Sequence, residues 1–168
     1  MKRHTALQDL SRDHLFALRL AHRIYQAERG FHGAPTLQEA GRALVASYEE
    51  DLIWHFREEE EVLLPVLARH FPITSREEVR CMLDDHAWLR DALARMGRAG
   101  EKGVLDEDLV VAAGKRLHDH VRLEERRLFV LMQELLDDDE LEEIRRGSEA
   151  FRRRFRSEEV IGPFRTHG

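Results

Sequence analysis

The chain has 168 residues, of which 36% are charged and 42% hydrophobic, and carries a formal net charge of −6. This length suits one domain with a real core, and the acidic balance argues against a general nucleic-acid binder, because a polyanion is repelled on average. Cys81 is alone and cannot form an internal disulfide, no stretch reaches the roughly 18–20 apolar residues of a membrane span, and Met1-Lys2-Arg3-His4-Thr5 leads into a polar amphipathic pattern rather than a signal-peptide core, so a cytoplasmic protein is expected.

Apolar residues at Leu7, Leu10, Leu15, Leu18, Ala21 and Ile24 predict a first helix from about Thr5 to Glu28, with Thr5 and Gln8 as a capping box and Gly30 and Gly33 as its end. Thr36 with Glu39 opens a second helix that runs to about Ala68. After the break at Phe71-Pro72-Ile73-Thr74, Ser75 and Glu78 start a third, ending near Met96, and Gly97, Gly100 and Gly103 then read as a loop. Asp106 begins a fourth, lasting to about Leu136. Four helices with short connections and no competing β-alternation predict an all-α, up-down-up-down four-helix bundle over residues 1–136. The remainder, 137–168, turns from acidic to arginine-rich. Leu141, Ile144, Phe151 and Phe155 predict a short additional C-terminal helix packing on the bundle as part of the same domain, with a loose end from Gly162-Pro163-Phe164.

Two stretches match. His55 aligns with His120, Arg57 with Arg122, Glu59 with Glu124, Glu60 with Glu125 and Leu63 with Leu128. Each holds His-x-x-x-Glu, and residues four apart on a helix leave the same face, so an imidazole and a carboxylate can hold one metal ion or bridge to a second. The first and third helices each add a histidine after an aspartate, Asp13-His14 and Asp85-His86. Counted from the loops at ~1.5 Å per residue, neighbouring members agree in depth to about one turn. His14, His55, Glu59, His86, His120 and Glu124 can therefore share one layer. Buried imidazoles and carboxylates are costly unless paired or metal-bound, and this donor set without thiolates suits iron.

At these residues the chain resembles the haemerythrin family, in its haemerythrin-like or HHE cation-binding branch. The resemblance rests on His14, on His55-x-x-x-Glu59 followed by Leu63-Leu64-Pro65, on His86, and on His120-x-x-x-Glu124 followed by Leu128-Phe129. It implies a non-haem di-iron centre of two iron ions, zinc or another divalent metal being a possible substitute. The four histidines are then terminal ligands, and Glu59 and Glu124 are the bridges. Arg90 stands where the oxygen-carrying branch has a second third-helix histidine, and Glu125 stands at that branch's five-residue acid spacing. The four-histidine, two-carboxylate set is more similar to the branch that includes iron-sensing and nitrosative-stress-repair proteins. The resemblance implies binding or sensing of O₂, nitric oxide or iron status. The alternatives are a di-iron oxidase or peroxide scavenger, for which no substrate channel, base or electron donor is evident, and an interaction module with a structural metal.

The other polar residues take ordinary readings. Glu58, Glu60 and Glu61 are expected on a solvated face, with Glu58 or Glu125 the only further candidates as ligands. His118, His22, His4, His32, His70 and His167 are expected in solvent or away from the site. Tyr48, Trp54, Trp88, Phe56 and Phe129 are read as packing, Arg90 as solvated or as a neutraliser of a bridging carboxylate, and the C-terminal arginines as a solvated helix face.

Overall fold

The computed structural model describes residues 2–101 and 103–160. His167 and the Gly162-Pro163-Phe164 end lie outside the described residues. Five helices and no strand occur among the described residues, so the protein is all-α. A 3₁₀ turn, Thr5–Leu7, leads into α1, Gln8–Glu28. Helix α2 covers 37–67, α3 Glu77–Glu101, α4 107–135 and α5 Asp138–Val160. Among the described residues no helix is long and apolar enough to cross a membrane.

Local chemistry accounts for most of these boundaries. Thr36 and Glu39 form the full reciprocal capping box of α2. The Asp106 carboxylate accepts from the backbone of Asp108 and Leu109 at the start of α4. Asp137 and Glu140 exchange bonds of 3.1 and 2.9 Å to open α5. Elsewhere the structure departs from expectation. The cap ahead of α1 is His4, whose Nδ1 accepts from Ala6 N at 3.2 Å, so His4 is half-buried and engaged, and Thr5 and Gln8 form no box. Ser75 closes a tight turn onto the Pro72 carbonyl at 2.7 Å, and α3 starts only at Glu77. Helix α3 also runs past Met96 through Gly97 and Gly100. At Gly97 a Cβ would meet Val45 at an ordinary 3.6 Å, so the helix passes through it without needing a glycine, and Arg42 holds the Gly100 carbonyl at 3.3 Å. Helix α5 is not short: its 23 residues exceed the 21 of α1. Its apolar stripe, Leu141, Ile144, Phe151 and Phe155, is buried. Leu15, counted in the α1 stripe, is 57% exposed, and Ala17 and Leu20 face inward in its place.

Helix α1 packs against α4 and α2, α3 against α4 and α2, and α2 against α4; α5 lies on the Thr5–Leu7 turn and on the middle and later parts of α2. The core forms two clusters. One gathers Ile24 of α1, Leu44 and Leu52 of α2, Leu89 and Leu93 of α3, and Val110 and Leu117 of α4. The other gathers Leu7 and Leu10, Leu63 and Leu67, Val79 and Met82, Leu128 and Met132, and Leu141 and Ile144 of α5. Each leucine so buried contributes about 1.5–3 kcal/mol. On every one of the first four helices, a buried polar residue falls between the members of the two clusters.

Candidate metal centre

Those polar residues are His14 of α1, His55 and Glu59 of α2, His86 of α3, and His120 and Glu124 of α4, none more than 5% exposed. All six sequence-predicted candidates are brought together. His14, His55, Glu59 and Glu124 form one group and Glu59, His86, His120 and Glu124 a second, with ligand atoms within 4.8 Å of one another in each. The two glutamates belong to both groups. Glu59 divides its oxygens between them: Oε1 lies 3.4 Å from His55 Nε2, and Oε2 lies 3.2 Å from His86 Nε2. Glu124 Oε2 lies 3.0 Å from His14 Nε2 and 3.3 Å from His120 Nε2. Donor atoms bound at about 2.1 Å to a common ion stand about 3–4 Å apart, so these spacings suit a cation between them.

Hydrogen bonding decides what the layer is for. The Nε2 atoms of His14, His55, His86 and His120 and all four carboxylate oxygens of Glu59 and Glu124 are buried without a hydrogen-bond partner, because the close imidazole–carboxylate contacts lack the required alignment. A buried polar atom left so costs about 1–3 kcal/mol, and native folds rarely retain a set of them. A positive ion shared by the inward-facing atoms satisfies them together. The residues present therefore fit a metal.

The outward nitrogens are organised in a repeating way. His14 Nδ1 meets Glu125 Oε1 at 2.7 Å, and Arg3 holds that glutamate at 2.5 Å. His86 Nδ1 meets Glu60 Oε1 at 2.7 Å, and Arg90 holds Glu60 at 2.9 Å. His55 Nδ1 faces Asp13 Oδ2 at 3.4 Å, with Arg152 on Asp13 at 2.6 Å. His120 Nδ1 faces Asp85 Oδ2 at 3.6 Å, longer than a hydrogen bond, with Arg116 on Asp85 at 2.5 Å. Each imidazole thus has a carboxylate behind it and each carboxylate an arginine behind that. At His14, His55 and His86 the hydrogen-bonded acid favours the proton on Nδ1 and turns the Nε2 lone pair inward. Phe56 stacks on His86 at 4.1 Å and Phe129 on His14 at 5.3 Å, so these two aromatics pack against the site itself.

Without a bound cation, protons take up the charge. Burial alone would depress His14, but the facing carboxylates of Glu124, Glu125 and Glu59 lift it well above the usual imidazole range. Against the same burial, Glu59 and Glu60 raise His86 to about 9. Burial would raise Glu59, yet His55, His14 and His86 hold it well below the ordinary carboxylate range. Glu125, resisting burial through His14, Ser11 and Arg3, falls to about 2.

A family model described as Hemerythrin HHE cation binding domain matches residues 5–132. The chain belongs to the hemerythrin HHE cation-binding family. No curated protein and no solved structure matches it. Family and donor set together make it a metal-binding protein. The matched segment contains every residue of the inward-facing layer and ends before α5.

Several readings need correction within this HHE domain. Glu60 is not on a solvated face but behind His86. Glu58 is 2% exposed and held by Arg152 at 2.8 Å; Glu61 alone of the three is exposed. Glu125 stands behind His14, outside both donor groups, as does Glu58. Arg90 neutralises Glu60 rather than a bridging carboxylate. His118, His22 and His32 are exposed as expected, while His70, also exposed overall, pairs with Glu140 at 2.7 Å. Arg152 is half-buried under charge from two acids. A signal for the supporting acids existed: Asp-His occurs at 13–14 and 85–86, and Glu-Glu at 59–60 and 124–125. Of the four arginines only Arg90, four residues after His86, stands out in the sequence, and nothing comparable marks Arg3, Arg116 or Arg152.

Proposed function

We propose that the chain holds two iron ions, one in each donor group, and binds or senses a small diatomic ligand such as O₂ or nitric oxide. The observation that carries this is the set of unpartnered inward atoms: two Nε2 atoms on each side and two carboxylates whose four oxygens are shared. His14 and His55 would be terminal ligands of one ion, His86 and His120 of the other, with Glu59 and Glu124 as bridges. Imidazole and carboxylate donors suit iron better than calcium or magnesium, and the absence of thiolates removes the usual structural zinc arrangement. Each donor group offers only two imidazole nitrogens and the shared carboxylates, so a held iron would keep room for a small exogenous ligand. Bound iron supplies the redox capacity and affinity for diatomic molecules; the protein's residues supply orientation and charge. The four acids aim the imidazoles, their arginines keep that outer ring neutral, and Phe56 and Phe129 exclude water from one side of His86 and His14.

The same reading includes an up-down-up-down arrangement of α1–α4 over residues 1–136, with the C-terminal segment in the same domain. It is supported by the two apolar clusters, each of which draws on opposite ends of successive helices. The test is metal analysis of the purified chain, joined to optical spectra before and after O₂ or nitric oxide. About two irons per chain, with an iron-dependent absorption that changes on gas addition, is the expected result. A single tightly held zinc ion overturns the reading.

A further inference from the structure

Arg152 sets one histidine apart from the other three. The carboxylates behind His14, His86 and His120 are held by Arg3, Arg90 and Arg116, which precede α1 or lie on α3 and α4. Only the acid behind His55 takes its arginine from α5, beyond the family-matched segment. Arg152 grips two acids at once: Nη2 lies 2.6 Å from Asp13 Oδ2, and Nε lies 2.8 Å from Glu58 Oε2. Glu58 immediately precedes Glu59, so the guanidinium spans from the residue aiming one ligand to the residue beside another.

The rest of α5 is seated on the same stretch. Phe155 packs on Trp54 with ring centroids 3.7 Å apart, Arg154 stands 3.7 Å from Glu61, and Gly147 lies so close that a Cβ there would meet Val62 Cγ1 at 2.8 Å. Trp54, Glu61 and Val62 bracket His55 and Glu59 along α2. A groove of about 560 Å³, lined by Asp13, Trp54, His55, Glu58, Phe151 and Arg152, lies where α5 meets α1 and α2, so lifting this helix would uncover His55.

We propose that Arg152 is a positioning residue for His55, and that docking of α5 and cation binding at the His14–His55 group are thermodynamically coupled. The proposal rests on the two-ion reading above. With α5 docked, Asp13 is neutralised and held toward His55 Nδ1, and Glu58 is balanced without drawing on the cation. With α5 undocked, both acids are free to move and His55 loses its support. Coupling of this kind is reciprocal: whatever factor docking adds to cation affinity, the cation adds to docking. The C-terminal helix is thereby a reporter of occupancy at one side of the site, a property suited to a sensor.

The experiment uses the full chain. Metal-free protein is titrated with Fe²⁺ in the absence of O₂ against a competing chelator, and backbone hydrogen exchange across α5 is followed with and without Fe²⁺. Arg152→Gln should weaken one of the two Fe²⁺ by about 10-fold or more, the usual effect of losing such support. Loading should slow α5 exchange in the wild type and lose that effect in the variant. Gly147→Leu, which wedges α5 from Val62 without touching a charge, should weaken Fe²⁺ in the same direction. Arg116→Gln, acting through Asp85 on His120, should weaken Fe²⁺ while leaving the exchange response of α5 intact. Unchanged Fe²⁺ affinity in Arg152→Gln, or wild-type α5 exchange indifferent to Fe²⁺, overturns the coupling, the latter even where a variant fails to fold. The two-ion reading fails on a different number, the wild-type stoichiometry.

Discussion

Glu58, Glu59, Glu60 and Glu61 are consecutive and chemically identical, and their four environments show how direction alone assigns roles. Glu59 points into the layer between the clusters, Glu60 reaches His86, Glu58 meets Arg152 and Glu61 pairs with Arg57 at the surface at 2.7 Å. Glu59→Ala should abolish binding of both ions, while Glu61→Ala should leave iron content near wild type, as metal analysis of the two purified variants will show; equal loss in both would count against Glu59 as a bridge. The imidazoles carry a second expectation. In the metal-free chain His86 is raised from 6.5 to about 9, so its protonated form favours folding. That contribution, about 3 kcal/mol, is fully present below about pH 6.5 and is lost as the pH rises through about 9. Cation binding runs oppositely, because the metal must displace the proton. Urea unfolding of metal-free protein should show falling stability between about pH 6.5 and 9.5, while Fe²⁺ affinity, measured without O₂, rises over the same interval. Of these residues, the six inward ones were legible because helical spacing puts them on one face at one depth. The acids behind them were visible only as repeated dipeptides, and Arg152 not at all, since its partners lie 94 and 139 residues away.

At the scale of the element, the unexpected feature is three π turns, Tyr48–Leu52, Glu59–Leu63 and Glu124–Leu128. Two begin on the shared glutamates and close the same way, Leu64 N onto the Glu59 carbonyl and Phe129 N onto the Glu124 carbonyl. Pro65 is not their common cause, because Val130 occupies the matching place on α4. Such turns are frequent at functional sites. An extra residue in the turn rotates the next stretch of helix, and here Leu63 and Leu128 return to the apolar cluster just below two buried acids. Periodicity read over a whole helix averages across a one-residue shift, which is why the stretches look like plain α-helix in sequence; the caps at Thr36 and Asp106 were legible because they depend on residues within one turn. Two glycines separate close packing from mere propensity. A Cβ on Gly114 would lie 2.8 Å from Ile24 Cγ2 and 2.9 Å from Ile24 Cβ, so Gly114→Ala should push α1 from α4 and cost about 1–3 kcal/mol. At Gly97 the nearest atom is 3.6 Å away and the residue lies inside α3, so Gly97→Ala should add about 0.5–1 kcal/mol. Urea midpoints of the two variants should move in opposite directions.

For the whole molecule, a polar layer between two apolar clusters sets how far the fold depends on its metal. The family-matched segment, 5–132, covers that layer and nearly all of both clusters, whereas α5 adds Leu141 and Ile144 to the second. Leu10, Leu44, Leu63, Leu67, Leu89, Leu93 and Phe129 are buried to 1% or less, and none of this apolar burial needs a cation. Six buried ionisable side chains do cost stability, but His14 and His86, raised by the carboxylates facing them, and Glu59, lowered by the imidazoles around it, neutralise one another in part. The chain should therefore remain folded when chelated, keeping its far-ultraviolet helical signal while its melting temperature drops. A site held at about 1,000 times its dissociation constant adds about 4 kcal/mol, and for a chain of this length each kcal/mol is worth about 2–4 °C. Loss of one ion should then lower the melting temperature by about 8–16 °C, with a larger drop for two. Melting curves followed by circular dichroism, with Fe²⁺ under argon and after chelation, measure this directly. If chelation instead abolishes the helical signal at room temperature, the metal is holding the core together, and the protein is a structural module rather than one whose fold stands ready to register an ion's arrival.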